Sequence, residues 1–133
     1  MANATSVTNA VPVATNAKGL RLYGISNCDQ VRAARAWLKK HGREPEFIDL
    51  KKTGLDPTTL DRWLTHLPWD ALLNKRGMTW RSLDPLLRAG IVDQHSACEI
   101  MLAQPLLIKR PVLEFGEKIS VGFSEPLYNN IFS

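Results

Sequence analysis

The chain has 133 residues, 44% of them apolar and 23% charged, with a formal net charge of +4. That is one domain's worth of chain, long enough to bury a core without disulfide staples. No apolar run reaches the roughly 18 residues of a membrane span, and no basic run is interleaved with aromatic residues, which argues against a membrane protein and against direct nucleic-acid binding.

Residues 1–17, MANATSVTNAVPVATNA, carry no charged side chain and no helical or strand period. They lack the basic start and solid apolar stretch of a secretion signal. A disordered N-terminal extension over 1–17 is expected, followed by a single domain over 18–133. Cys28 and Cys98 are the two cysteines. Without a secretion signal a reducing, cytoplasmic setting and two free thiols are expected, although the sequence leaves a disulfide between them open. His41, His66 and His95 are scattered without metal-ligand spacing, so no metal site is expected.

Residues 20–25 (LRLYGI) alternate loosely and predict a strand. Residues 28–41 predict a helix, with Val31, Ala34, Trp37 and Leu38 on its apolar stripe and Arg32, Arg35 and Lys39 opposite. Gly42 stops it. A second strand is predicted over 46–50 (EFIDL). Strand, helix, strand at this spacing is a βαβ unit with parallel strands. In LDPTTLDRWLTHL, Asp56 is a good N-cap and Pro57 suits the first helical position, with Leu60, Trp63, Leu64 and Leu67 at helical spacing.

Residues 68–92 read as short helices and turns, including the turn NKRG at 74–77. Asp93 caps a helix to about Ala103 that buries Ala97, Ile100 and Met101, and Pro105 ends it. Strands are predicted over 106–115 and 118–123, forming a hairpin around Gly116. Ser124 caps a last short helix with Leu127 and Ile131 inward. The resulting class is α/β: a thioredoxin-like fold with a four-stranded mixed sheet and a helical insertion.

Cys28 falls where the first strand hands over to a helix, at the sheet edge where open α/β folds bind ligands. A helix N-terminus offers unpaired N–H groups and a positive dipole end, both of which stabilise a thiolate. Arg32 lies one turn on, and helical side chains lean toward the N-terminus, so its guanidinium can reach back toward the sulfur or hold an anion beside it. The alternative is that Cys28 only caps or packs. Its polar flanks Ser26, Asn27 and Asp29 weigh against that. In IKRP, Pro111 opens the third strand where thioredoxin-like folds place a cis proline facing the cysteine, which would aim Arg110 near Cys28; the alternative is a surface arginine before a strand-initiating proline. Lys75 and Arg76 add a basic turn, although sequence alone favours a solvated surface for them. Cys98, mid-helix in HSACEIML, reads as a structural or surface thiol.

Four stretches, YGISNCDQVRAARAWL, WDALLNKRGMTWRSL, PLLIKRPVLEF and VGFSE, occur in order. On these the chain resembles the ArsC/Spx family of thioredoxin-fold proteins from about Leu20 to Phe132, most closely its YffB-like branch. The resemblance implies one essential cysteine, Cys28. In the family's arsenate reductases the thiolate attacks arsenate, glutathione attacks the adduct, and a glutaredoxin resolves the mixed disulfide. Arg32 and Arg110 match arginines of that site, and Pro111 matches its cis proline.

Three positions depart from the arsenate reductases. Gly24 stands where they carry a histidine, Asn74 where they carry an arginine, and a third arginine falls at about Gly122. Oxyanions are held by paired charge, so poor or absent arsenate reduction is expected. The family's Spx regulators carry CxxC at this site, and here Val31 takes the place of the second cysteine.

The reading is a glutathione-dependent thiol reductase with Cys28 as nucleophile. Asn27, Arg32, Lys75, Arg76, Arg110 and Pro111 would bind substrate or anion. No bound cofactor is expected. Glutathione or another small thiol is the expected co-substrate and a glutaredoxin a further partner. The alternatives are an Spx-like regulator that contacts RNA polymerase without turnover, and an arsenate reductase with a rearranged anion site.

Overall fold

A computed structural model describes residues 19–133, and the extension expected at 1–17 lies outside the described residues. The central strand is β1 (Leu20–Gly24). It runs parallel to β2 (Glu46–Asp49), with Gly24 paired to Asp49, and antiparallel to β3 (Val112–Phe115), with Tyr23 paired to Val112. Strand β4 (Lys118–Val121) closes an antiparallel hairpin with β3. The sheet is therefore four-stranded and mixed, as the sequence predicts, and its order is β2-β1-β3-β4.

Alternation along the strands sends side chains to two separate cores. Leu20, Leu22 and Leu113 face α1 (Asp29–Lys40) and α8 (Glu125–Ile131), packing with Ala34, Trp37, Leu38 and Tyr128. Tyr23 and Val112 face the other side, against Leu60, Trp63, Leu72 and Met101 of the helical insertion. The insertion comprises α2 (Leu50–Thr53), α3 (Pro57–Leu64), α4 (Trp69–Leu72), α5 (Met78–Arg81), α6 (Pro85–Ala89) and α7 (Gln94–Ala103). Among the described residues no helix is long and apolar enough to cross a membrane.

The expected caps form. Asp56 accepts from the Thr58 N–H, Ser124 from that of Leu127, and Asp93 joins Ser96 in a reciprocal capping box. All four strands are shorter than predicted, β1 by Ile25 and β4 by Gly122 and Phe123, and two of the losses have a clear cause. Leu50 leaves the sheet because Asp49 caps a new helical turn, accepting from the Lys51 N–H at 2.9 Å. The run at 106–111 is not strand. Pro105–Leu107 form a tight 3-10 turn, and Leu107 and Ile108 are fully buried. Ile108 bridges Leu73, and the Asn74 and Lys109 N–H groups donate to Leu107 and Leu72 carbonyls, each at 2.7 Å. Those apolar residues bury against the insertion instead of the sheet, and Pro111 has no N–H to give a ladder.

One buried charge stands in the sheet. Glu114 is 3% exposed. Its carboxylate accepts from Tyr23 Oη at 3.2 Å, Trp63 Nε1 at 2.7 Å, and Arg62 Nη2 and Nε at 2.8 and 3.2 Å. Arg21 Nη1 lies 3.7 Å away. Burial pushes the Tyr23 phenol up, and the Glu114 charge adds to it. The hydrogen bond to Glu114 raises Arg62 in turn. This network fastens α3 to β3 and β1.

Candidate functional site

Cys28 is the N-cap of α1, with extended backbone (φ −148°, ψ 125°), and its carbonyl accepts the first helical bond from Arg32 N–H at 2.9 Å. Its side chain makes no capping bond, and the thiol is half-buried and free. The sulfur therefore stands at the helix N-terminus without a capping role.

Arg32 does not bond the sulfur. Its guanidinium pairs with Asp29, at i−3, and donates to Asn27 Oδ1 at 3.4 Å. The N-terminal lean of the side chain brings it to the carboxylate first. Asn27, Asp29 and Arg32 thus brace the turn that presents Cys28. The exposed ion pair adds little stability of its own, but it offsets the acidic charge beside the thiol. Gln30, which carries no sequence signal, is a further brace. Its Oε1 accepts from Phe123 N–H at 3.2 Å and ties the start of α1 to the loop before α8.

Pro111 is buried, and the Arg110–Pro111 peptide is cis. Continuing the β1–β3 register by one step sets Pro111 beside Gly24, at the edge where Cys28 stands. Arg110 is half-buried. Its Nη1 donates to the Leu106 carbonyl at 2.9 Å, and its buried Nε has no partner among the described residues.

The basic turn divides. Lys75 holds its ammonium over two indole rings, 5.9 Å from the Trp69 centroid and 5.7 Å from that of Trp80, so it is a weaker candidate anion donor than expected. The exposed Arg76 guanidinium makes no hydrogen bond or ion pair among the described residues. Asn74 shapes the turn: its Oδ1 accepts from Arg76 N–H at 3.0 Å. Its backbone bond to Leu107 joins the turn to the segment leading into Arg110–Pro111. The expected site residues thus form two braced groups, 27–32 and 74–76 with 110–111, with no direct bond between them.

The structure also accounts for the departures at residues 24 and 122. A Cβ on Gly24 would lie 2.6 Å from Val31 Cγ2, and Val31 is fully buried. Any side chain at 24, histidine included, collides with the residue standing where a second cysteine would be. Gly122 has φ +84°, a left-handed conformation that a side chain such as arginine adopts only under strain. A test of the first contact is stability: Gly24→Ala is expected to cost about 1–3 kcal/mol. The double variant with Val31→Ala should lose less than the sum of the singles in urea unfolding.

Residues 23–131 match the ArsC family profile. The chain belongs to the ArsC family. An uncharacterized protein of Haemophilus influenzae is 38% identical over 114 residues, 86% of this chain and 99% of its own length. The solved structure of the YFFB (PA3664) protein is 41% identical, covers 86% of this chain and 99% of its own, and superposes with a TM-score of 0.81. The solution structure of an arsenate reductase (ArsC) related protein from Brucella melitensis is 49% identical, covering 86% of this chain and 94% of its own at a TM-score of 0.67. The global transcriptional regulator Spx of Listeria innocua is 27% identical over 78% of this chain and 79% of its own. The mixed four-stranded sheet with helices packed on both faces agrees with the class expected from the sequence.

Proposed function

We propose that this ArsC-family chain is a single-cysteine thiol reductase that draws its electrons from glutathione. The observation that carries the reading is the Cys28 thiol, free and unengaged at the N-terminus of α1, with the buried Val31 in the place of a resolving cysteine.

The Cys28 thiolate attacks the glutathionyl sulfur of a mixed disulfide RS–SG. The Cys28–SG bond forms, the R–S to glutathione bond breaks, and RS⁻ leaves and takes a proton. A glutathione thiolate then attacks the Cys28-bound glutathionyl sulfur, giving oxidised glutathione and returning the Cys28 thiolate. The net reaction is RSSG + GSH → RSH + GSSG. The unpaired N–H groups of the first turn of α1 favour negative charge on the sulfur in both steps. Arg76 and Arg110 suit the carboxylates of glutathione. A glutaredoxin can replace glutathione in the second exchange, and the need for reduced glutathione points to a cytoplasmic setting. The bulk of Val31 against Gly24 and the backbone at Gly122 count against an arsenate site.

The test is glutathione-dependent reduction of a small glutathionyl disulfide, followed through oxidised glutathione. Cys98 has no part in it. Burial pushes its thiol up, Asp61 adds to this, and its side chain packs against the insertion core. Cys98→Ser is expected to leave turnover unchanged. A second reading is a regulator without turnover, since one relative is a global transcriptional regulator; capture of RNA polymerase with no glutathione turnover would favour it.

A further inference from the structure

The C-terminal ends of β1 and β2 and the start of β3 lie at one edge of the sheet, since Gly24 pairs with Asp49 and Tyr23 with Val112. Cys28, Leu50 and Arg110 therefore all leave the sheet on that edge. A cavity of about 300 Å³ reaches that edge at Leu50 and is walled by Leu50, Lys51 and Gly54 at α2, Thr79 of α5, and Gln104, Pro105 and Leu106. The volume is at the lower end of small-molecule sites, which are mostly apolar with a few polar groups. Leu50, Pro105 and Leu106 make this one apolar. Lys51 makes no side-chain ion pair among the described residues. The cavity is joined to the candidate site through Leu106, whose carbonyl holds the Arg110 guanidinium.

We propose that this groove binds the non-glutathione half of the substrate, the apolar carbon chain or ring R of RS–SG. The inference rests on the glutathione reading above and adds the substrate class: an apolar thiol, with Lys51 and Gln104 at its outer end. It also gives the helical insertion a task, because Thr79 and residues 104–106 supply walls that the sheet and α1 do not.

Binding of unreactive thioethers separates recognition from chemistry. S-methylglutathione and S-hexylglutathione are titrated into the full chain by calorimetry and by amide NMR. The hexyl ligand is expected to bind on the order of tenfold tighter. Shifts at Lys51, Thr79 and Leu106 should accompany it and be absent with the methyl ligand. Thr79→Trp, and the exposed-rim variant Gln104→Trp in case the first disturbs folding, should bring hexyl affinity down to that of methyl. If methyl binds at the Cys28 turn but hexyl gains nothing, or if neither variant weakens a tight hexyl complex, the groove proposal is overturned and the glutathione reading stands. If neither ligand shifts the Cys28 turn, both are overturned.

Discussion

Cys28→Ser is expected to lower glutathione-dependent disulfide reduction by about 10³-fold or more, with urea unfolding unchanged. A hydroxyl at this position is a far weaker nucleophile and leaving group than a thiolate, and loss of the attacking atom removes both exchanges at once. Stability should hold because the Cys28 side chain makes no cap bond, and serine is itself a favourable N-cap. The pairing of lost turnover with intact folding distinguishes a reacting thiol from a packing one. Residual turnover near the original rate would transfer the chemistry away from Cys28.

The largest expected effect on stability lies at Glu114. Glu114→Ala should cost about 2–5 kcal/mol in urea unfolding, because two buried donors lose their acceptor at about 1–3 kcal/mol each. The domain as a whole is expected to have only about 5–15 kcal/mol. Arg62 is partly exposed, its side chain 42% accessible, and can return to water. The Trp63 N–H and Tyr23 O–H cannot, since both side chains are buried against the insertion. Glu114→Gln keeps an acceptor for Trp63 but sets an amide N–H₂ among donors, so a smaller loss of about 1–3 kcal/mol is expected. Equal, negligible losses for both variants would mean that the network adds nothing to the hold of α3 on the sheet.

Local signals made much of this fold legible. Helix α1 announces itself by the spacing of Val31, Ala34, Trp37 and Leu38, and α3, α7 and α8 by the capping residues Asp56, Asp93 and Ser124. The position of Cys28 follows from the same signals, because a strand that ends before a strong helix fixes what lies between. The rest depends on partners that no sequence pattern names. Residues 106–108 look like a strand by composition, yet Leu73 and Asn74 draw them out of the sheet. Glu114 reads as a polar residue in a strand, and only the fold brings Arg62, Trp63 and Tyr23 around it. Arg32 and Lys75 have the right charge for an anion site, but Asp29 and two tryptophans take up those charges. The contact between Gly24 and Val31 joins two apparently unrelated departures, which spacing alone could not connect.

The most direct test is to treat the full chain with oxidised glutathione, map the adduct by peptide mass, and then add reduced glutathione. The expected result is one glutathionyl group, on Cys28, removed by the added thiol. An adduct on Cys98 with none on Cys28, or a Cys28 adduct that glutathione leaves in place, would contradict a cycle in which an external thiol completes what a single cysteine begins.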